Sequence, residues 1–265
     1  MDRAARAFRG AAAALAVTAL VATGACSGGG KKGGASSPPA SSPSGSPSGS
    51  PSGSPSGGRL TQAQATAALV DTSDMGAQWS KVSGAPSTPD ALTRDRTKTA
   101  ECQTLLDRLA NGNILGTTPS PMASRLFNHT PGPAQLVYRV GSYTPADIDK
   151  GLAWLKSLPK VCDQFKVTDP AGTTFTGQVV KADLPSVGDD RAGVRLNLGT
   201  KAQGTNAALT MEAAAVRVGT DAITLANGGI NLPQTGIVGE QTKVALDKGT
   251  SRLKEVLSGK TPSSL

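Results

Sequence analysis

One histidine, three cysteines and nineteen carboxylates hold most of the chemistry open to this 265-residue chain. A Ser-His-Asp triad needs a histidine base beside its nucleophile. His129 is the single histidine, set in "NHT" of a strand-like stretch, and no G-x-S-x-G elbow accompanies it. It is expected at the surface or at a strand edge. A zinc site wants three or four His, Cys or acid ligands, and one histidine with two domain cysteines falls short of that. "GDDR" pairs Asp189 with Asp190, two adjacent acids that could hold a cation but read first as a turn. "SGKTP" at 258–262 imitates the end of a phosphate loop, yet the leading glycine would fall on Lys254 and no strand precedes it. Two carboxylates in glycosidase fashion would serve for acid–base work, but no pair stands out. The expectation is therefore no catalytic residue, no metal and no cofactor.

The cysteines divide by position. "LAVTALVATGACSGGGKKGG" runs from Leu15 to Gly34, and its apolar run stops at Cys26. Arg3, Arg6 and Arg9 precede thirteen uncharged residues, 11–23. That is the plan of an export signal, and too short for a spanning helix of about 20 apolar residues. Thr23-Gly24-Ala25-Cys26 resembles a bacterial lipobox, with Thr23 where a larger aliphatic residue is usual. The resemblance implies that residues 1–25 are removed, that Cys26 receives a diacylglycerol, and that the mature chain sits on the outer face of the cell membrane. Two acyl chains, a palmitate-type anchor, hold stably at about 0.8 kcal/mol per buried methylene. No twin-arginine pair stands before the run, so the general export route is expected. With a lipobox, the "NHT" match to a glycosylation sequon implies no eukaryotic machinery. Cys102 and Cys162 remain, an even pair in an oxidising compartment, and a disulfide is expected. Two buried thiols or an incomplete metal pair are the alternatives.

Residues 26–58 form the lipidated cysteine and a tether of Ser, Gly, Pro and Ala, with "SPSG" repeating from Ser42. Such a stretch buries nothing that would offset its ordering entropy. As a coil it spans about 30 Å. Residues 59–265 are expected to be one domain. Of the +8 net charge, three Arg, one Asp and two Lys lie before residue 59, leaving 22 basic against 18 acidic residues, or +4. The basic residues are scattered and lack interleaved aromatics, so no nucleic-acid partner is expected.

The elements follow from periodicity. Residues 60–70 read as a short helix with Leu60, Ala67, Leu69 and Val70 inward, and 74–82 as a turn and short strand burying Trp79. Residues 99–110 read as a helix, with Cys102, Leu105, Leu106 and Leu109 on one face and Asn111-Gly112 ending it. "MASRLFNHT" and "AQLVYRVGSY" read as strands around Pro131-Gly132-Pro133. Thr144-Pro145 with Asp147 opens a helix whose stripe is Ile148, Leu152 and Leu155, flanked by Trp154 and Leu158; Pro159 should end or kink it just before Cys162. Four β segments follow, with Gly219-Thr220-Asp221 as a hairpin turn. A final amphipathic helix keeps Val238, Thr242, Ala245, Leu246, Gly249, Leu253, Val256 and Leu257 on one face. The fold class is α+β: an antiparallel sheet packed with helices mainly on one face, a C-terminal amphipathic helix and one disulfide. With seven aromatics in the domain, the core must be mostly Leu, Val and Ala, which leaves room for a groove.

This layout resembles actinobacterial lipoproteins of the PknH-like extracellular sensor domain family. The resemblance is carried by Asp74-Met75 with Trp79, Cys102, "VYRVGSYTPADIDKGLAWLKSLPKVC", "LPSVGDD" and "AAAVRVGTDAITLANGG". It implies a disulfide-bonded sheet-and-helix domain with a cleft for an unidentified ligand. The family's second disulfide has no counterpart here, and neither does a kinase domain, so any sensing passes through a partner. The expected function is that of a non-catalytic extracytoplasmic lipoprotein whose domain binds an envelope ligand or small molecule. The alternatives are an adaptor docking a membrane or cell-wall protein, and a lipid carrier.

Overall fold

Capping chemistry sets most of the helix starts. In the computed structural model, which describes residues 59–83, 95–130, 132–202, 205–230 and 237–262, side chains of 200–208 excepted, α1 (Gln62–Ala67) opens on a reciprocal capping box. Gln64 N donates to Thr61 Oγ1 and Thr61 N donates to Gln64 Oε1. The four-residue α2 (Thr72–Met75) repeats the device with Asp71 and Asp74. α3 (Ala100–Asn111) ends at Gly112, whose φ of 67° suits glycine in the left-handed region. α4 (Pro145–Val161) starts on Thr144, whose hydroxyl accepts from Asp147 N, with Pro145 in the first turn. α5 (Ile237–Leu257) carries Glu240 in its first turn and Lys254 in its last, in line with its dipole.

Eight strands make one antiparallel sheet: β1 (Trp79–Val82), β2 (Met122–His129), β3 (Gln135–Ser142), β4 (Phe165–Thr168), β5 (Thr174–Lys181), β6 (Asp190–Ala202), β7 (Thr205–Val218) and β8 (Asp221–Ile230). Their order across the sheet is β1-β2-β3-β8-β7-β6-β5-β4. The expected strands are all present, and Val218 pairs with Asp221 across the Gly219-Thr220 turn. β4 escapes a sequence reading because it is four residues long, with only Phe165 and Val167 alternating inward. α2 escapes for the same reason.

The sheet is covered on both faces, not mainly on one. β7 shows why: Leu209, Met211, Ala213 and Ala215 join one core, while Ala214, Val216 and Val218 join the other. Successive strand residues point to opposite faces, so the two cores flank the sheet. α3 and α4 pack on the first face through Leu105, Leu106, Leu109, Ile148, Leu152, Leu155 and Leu158. α1, α2 and α5 pack on the second, with Trp79, Phe127, Leu136 and Tyr138. Central strands buried on both faces lose the apolar–polar alternation that would have revealed this, and "AAAV" in β7 reads the same from either side.

Smaller departures have local causes. Ala67 is exposed, and Ala65 and Ala68 take the inward positions of the short α1. Pro159 does not end α4, which runs on to Val161; Cys162 N still closes the last turn onto Leu158 O at 2.7 Å. Leu257 is only half-buried at the end of α5.

Two buried ion pairs sit on the second face. Asp74, which caps α2, also accepts from Arg252 of α5 at 3.0 Å. Glu212 is fully buried and accepts from Arg195 Nε and Nη2 across the β6–β7 pair. Asn227 Nδ2, one strand further on, donates to Val238 O and fixes the start of α5.

Candidate functional site

Cys102 and Cys162 are joined, with 5.8 Å between Cα atoms and both residues fully buried. The bond ties the first turn of α3 to the end of α4, so it is structural scaffolding for one face of the sheet. Neither buried free thiols nor a metal pair remains as an alternative. Cys26, the export signal 1–25 and the tether 26–58 lie outside the described residues.

His129 is buried, 6% exposed, and not a surface residue. It faces Trp79 across the β1–β2 pair, edge to face, with ring centroids 5.1 Å apart. Its Nδ1 accepts from Gly132 N at 3.3 Å, so Nε2 holds the proton and donates to Gln78 Oε1 at 3.2 Å. Nδ1 thus holds the β2–β3 turn, and Nε2 ties the end of β2 to the residue before β1. These partners lie up to fifty-one residues away in sequence, so a local reading could not find them.

Asp189 and Asp190 turn away from each other. Asp189 Oδ2 accepts from Gly219 N at 2.6 Å, which braces the β7–β8 hairpin. Asp190 accepts from Lys156 of α4 at 2.7 Å, and that hydrogen bond holds its carboxyl below the ordinary range against the effect of burial. The pair is not the expected turn: Asp190 opens β6 opposite Arg217 and Asp189 is the bend before it, each with its own anchor. Residues 258–262 follow the C-terminus of α5, where helix carbonyls rather than N–H groups are presented, which is the wrong end for a phosphate. Among the described residues no three His, Cys, Asp or Glu side chains gather as metal ligands.

A cleft does exist, on the α3 side of the sheet. Strand register builds its floor. One rung runs Ser80, Asn128, Gln135, Gly228 and Met211 across β1, β2, β3, β8 and β7. From the next rung on that face, Val137 of β3 and Ala226 of β8, paired with each other, complete the floor. Leu109 of α3 makes one wall, the β2–β3 turn another, and Ile230 stands at the rim. The volume is about 490 Å³, within the range of small-molecule sites.

Small residues make the hollow. Ala226 and Gly228 put almost nothing above the backbone, and a Cβ on Gly228 would come within 2.7 Å of Met211 Cα and Cγ. Met211 lies over that glycine and is itself 7% exposed. Polar groups are confined to one end. Gln135 Nε2 donates to Asn128 Oδ1 at 3.0 Å, an arrangement that orients the Asn128 amide beside the cleft. Arg139, two residues along β3 from Val137, gives its guanidinium to the α3 terminus, with Nη1 on Gly112 O and Nη2 on Asn111 O. Desolvation lowers its pKa from the usual arginine value.

None of the floor residues was assigned a binding role from sequence. The signal present was "NGG" inside β8, since glycine within a strand marks a bulge or a close approach.

The molecule is thus an α+β domain, an eight-stranded antiparallel sheet clasped by helices on both faces, disulfide-bonded, with a cleft beside α3. Among solved structures it is similar to the extracellular domain of PknH from Mycobacterium tuberculosis, at 15% identity over 72% of this chain and 97% of that one, with a TM-score of 0.46. It is also similar to the Rv0999 ortholog of Mycobacterium smegmatis, at 13% identity over 69% of this chain and 97% of that one, TM-score 0.34. A third likeness is to LpqN of Mycobacterium tuberculosis, involved in cell envelope biogenesis, at 13% identity over 69% and 88%, TM-score 0.22. The first is the kind of domain that the sequence resembles. These likenesses assign no ligand or activity to this chain. No protein-family model and no curated protein matches it.

Proposed function

We propose that this chain is a lipid-anchored, extracytoplasmic, non-catalytic module whose cleft holds an envelope ligand or small molecule. The cleft of about 490 Å³ on the α3 face carries the reading. The sheet forms its floor and a disulfide-anchored helix forms its wall; among the described lining residues His129 is held by Gln78 and Gly132, and Ser80 Oγ donates to Asn128 O rather than to the imidazole. The buried disulfide agrees with an oxidising compartment. The lipobox-like Thr23–Cys26 supplies the anchor, and the Ser/Pro/Gly tether lifts the domain from the membrane.

An adaptor would present a broad apolar patch. Among the described residues the exposed large hydrophobics are Val161 and Ile230, which lie apart on α4 and β8, and Ile230 belongs to the cleft rim. A lipid carrier is a case of the binding reading rather than a rival to it.

Native mass spectrometry of the mature chain, exported by a related host, tests the proposal. The expected result is a reproducible extra mass that is lost on denaturation. An unliganded mass, together with hydrolase activity that disappears on replacing one carboxylate, would overturn it.

A further inference from the structure

We infer that the occupant of the α3-side cleft is an uncharged amphiphile, with a hydroxyl-bearing head at the Ser80–Asn128–Gln135 end and a hydrocarbon part over Val137, Ala226 and Met211. The inference rests on the ligand-binding reading above and adds the chemistry of the ligand and its direction in the site.

The described lining is divided along one line. From β2 to β7 the floor crosses three strand spacings, about 14 Å at 4.8 Å each. Asn128 and Gln135 offer amide groups at one end, and the exposed Ser80 stands beside them. Met211, Ala226, Val137 and Leu109 offer only hydrocarbon and sulfur at the other, with Ile230 at the rim, 44% exposed.

Three simpler ligands fit this lining less well. A charged ligand would leave water for a site whose described lining has no Lys, Arg, Asp or Glu, and an unpaired charge there is costly. Arg139 stands on that face outside the described lining, and its Nη1 and Nη2 point to the α3 carbonyls of Gly112 and Asn111 rather than to the cleft. A wholly apolar ligand would strip water from the Asn128 amide and the exposed Ser80 hydroxyl at the cleft without replacing its hydrogen bonds. A free sugar would gain nothing from Met211, Val137, Leu109 and Ile230, and neither tryptophan lines the cleft to stack on it. A head rich in hydroxyls joined to one hydrocarbon chain satisfies both ends. Single-chain glycolipids and monoacylglycerols share that chemistry.

The test uses the whole mature chain with Cys26→Ser, which needs no detergent, and follows backbone amide shifts by NMR. The probes, all below their micelle concentrations, are dodecyl maltoside, monododecanoylglycerol, dodecanoate and maltose. The expected result is saturable shifts at Asn128, Gln135, Gly228 and Gly229 with dodecyl maltoside or monododecanoylglycerol, at least tenfold tighter than with dodecanoate or maltose. Whichever of the two neutral probes binds tighter indicates the sugar or the glycerol source. Ile230→Ser, at an exposed position, should weaken both. Asn128→Asp keeps the acceptor for Gln135 but removes an amide donor, and should weaken them by about tenfold, the upper range for one hydrogen bond. Equal or tighter binding of dodecanoate at these amides would overturn the uncharged-ligand inference and leave the ligand-binding reading standing. No shift with any probe, together with an unliganded native mass, would overturn both.

Discussion

Gly249 shows how closely single residues are fitted here. It faces Tyr138, which is fully buried, and a Cβ on Gly249 would overlap the Tyr138 hydroxyl. Gly249→Ala should therefore destabilise by about 1–3 kcal/mol through overpacking, outweighing the gain of about 1 kcal/mol in helix propensity. A lowered urea midpoint with unchanged slope is expected; a raised one would contradict the packing. The Tyr138 hydroxyl has no hydrogen-bond partner, and desolvation raises its pKa far above the ordinary value. Asp95 is a second costly group: it is 1% exposed, and its Oδ1 has no partner. Burial, then Asp169, raises its carboxyl above 3.8 against the pull of Arg96. A raised carboxyl pKa in the fold favours the folded state only below the unfolded value, and that contribution is lost as pH rises through the raised value. Asp95→Asn is thus expected to melt higher than the parent at pH 7, with the difference shrinking toward pH 3.8. Equal melting temperatures at both pH values would refute it. Cys26 makes a separate residue-scale claim. Cys26→Ser should release the protein from the membrane fraction, and unchanged detergent-phase partitioning would disprove the lipid anchor.

At the scale of elements, the disulfide joins α3 to the end of α4 across sixty residues of sequence. In the chain-entropy model its loss costs about 4 kcal/mol. Replacing both cysteines by Ala should lower stability by that order in guanidinium unfolding, and a change below about 1 kcal/mol would show that the two helices hold their places without it. Much at this scale was legible in the sequence. Leu105, Leu106 and Leu109 announced α3, Thr144-Pro145 announced α4, and Gly219-Thr220 announced the β7–β8 turn, because each signal is local. What stayed hidden depends on contacts distant in sequence. His129 is buried by Trp79 and Gln78, which its own strand does not name. The second helical layer was missed because an alanine-rich central strand gives no sign of which face it buries. β4 gains its place from Phe165 lying over Gly177 of β5, where a Cβ would meet the ring at 2.6 Å.

At the scale of the molecule, one sheet serves two purposes. Its second face is a packed core secured by α5 and the Asp74–Arg252 pair. Its first face is packed under α4 but leaves a hollow beside α3, where Ala226 and Gly228 thin the floor. The sequence pointed to room for a groove through its shortage of aromatics, but not to the groove's position, which register alone decides: Asn128, Gln135, Gly228 and Met211 come from four strands and meet on one rung. A domain hollowed in this way is suited to holding a small molecule, as the proposed function requires. The most direct measurement is native mass spectrometry of the exported mature chain, with amide shifts locating whatever it carries. The account predicts a non-covalent adduct whose removal shifts Asn128, Gln135 and Gly228. An unliganded chain whose cleft amides respond to no amphiphile would contradict it.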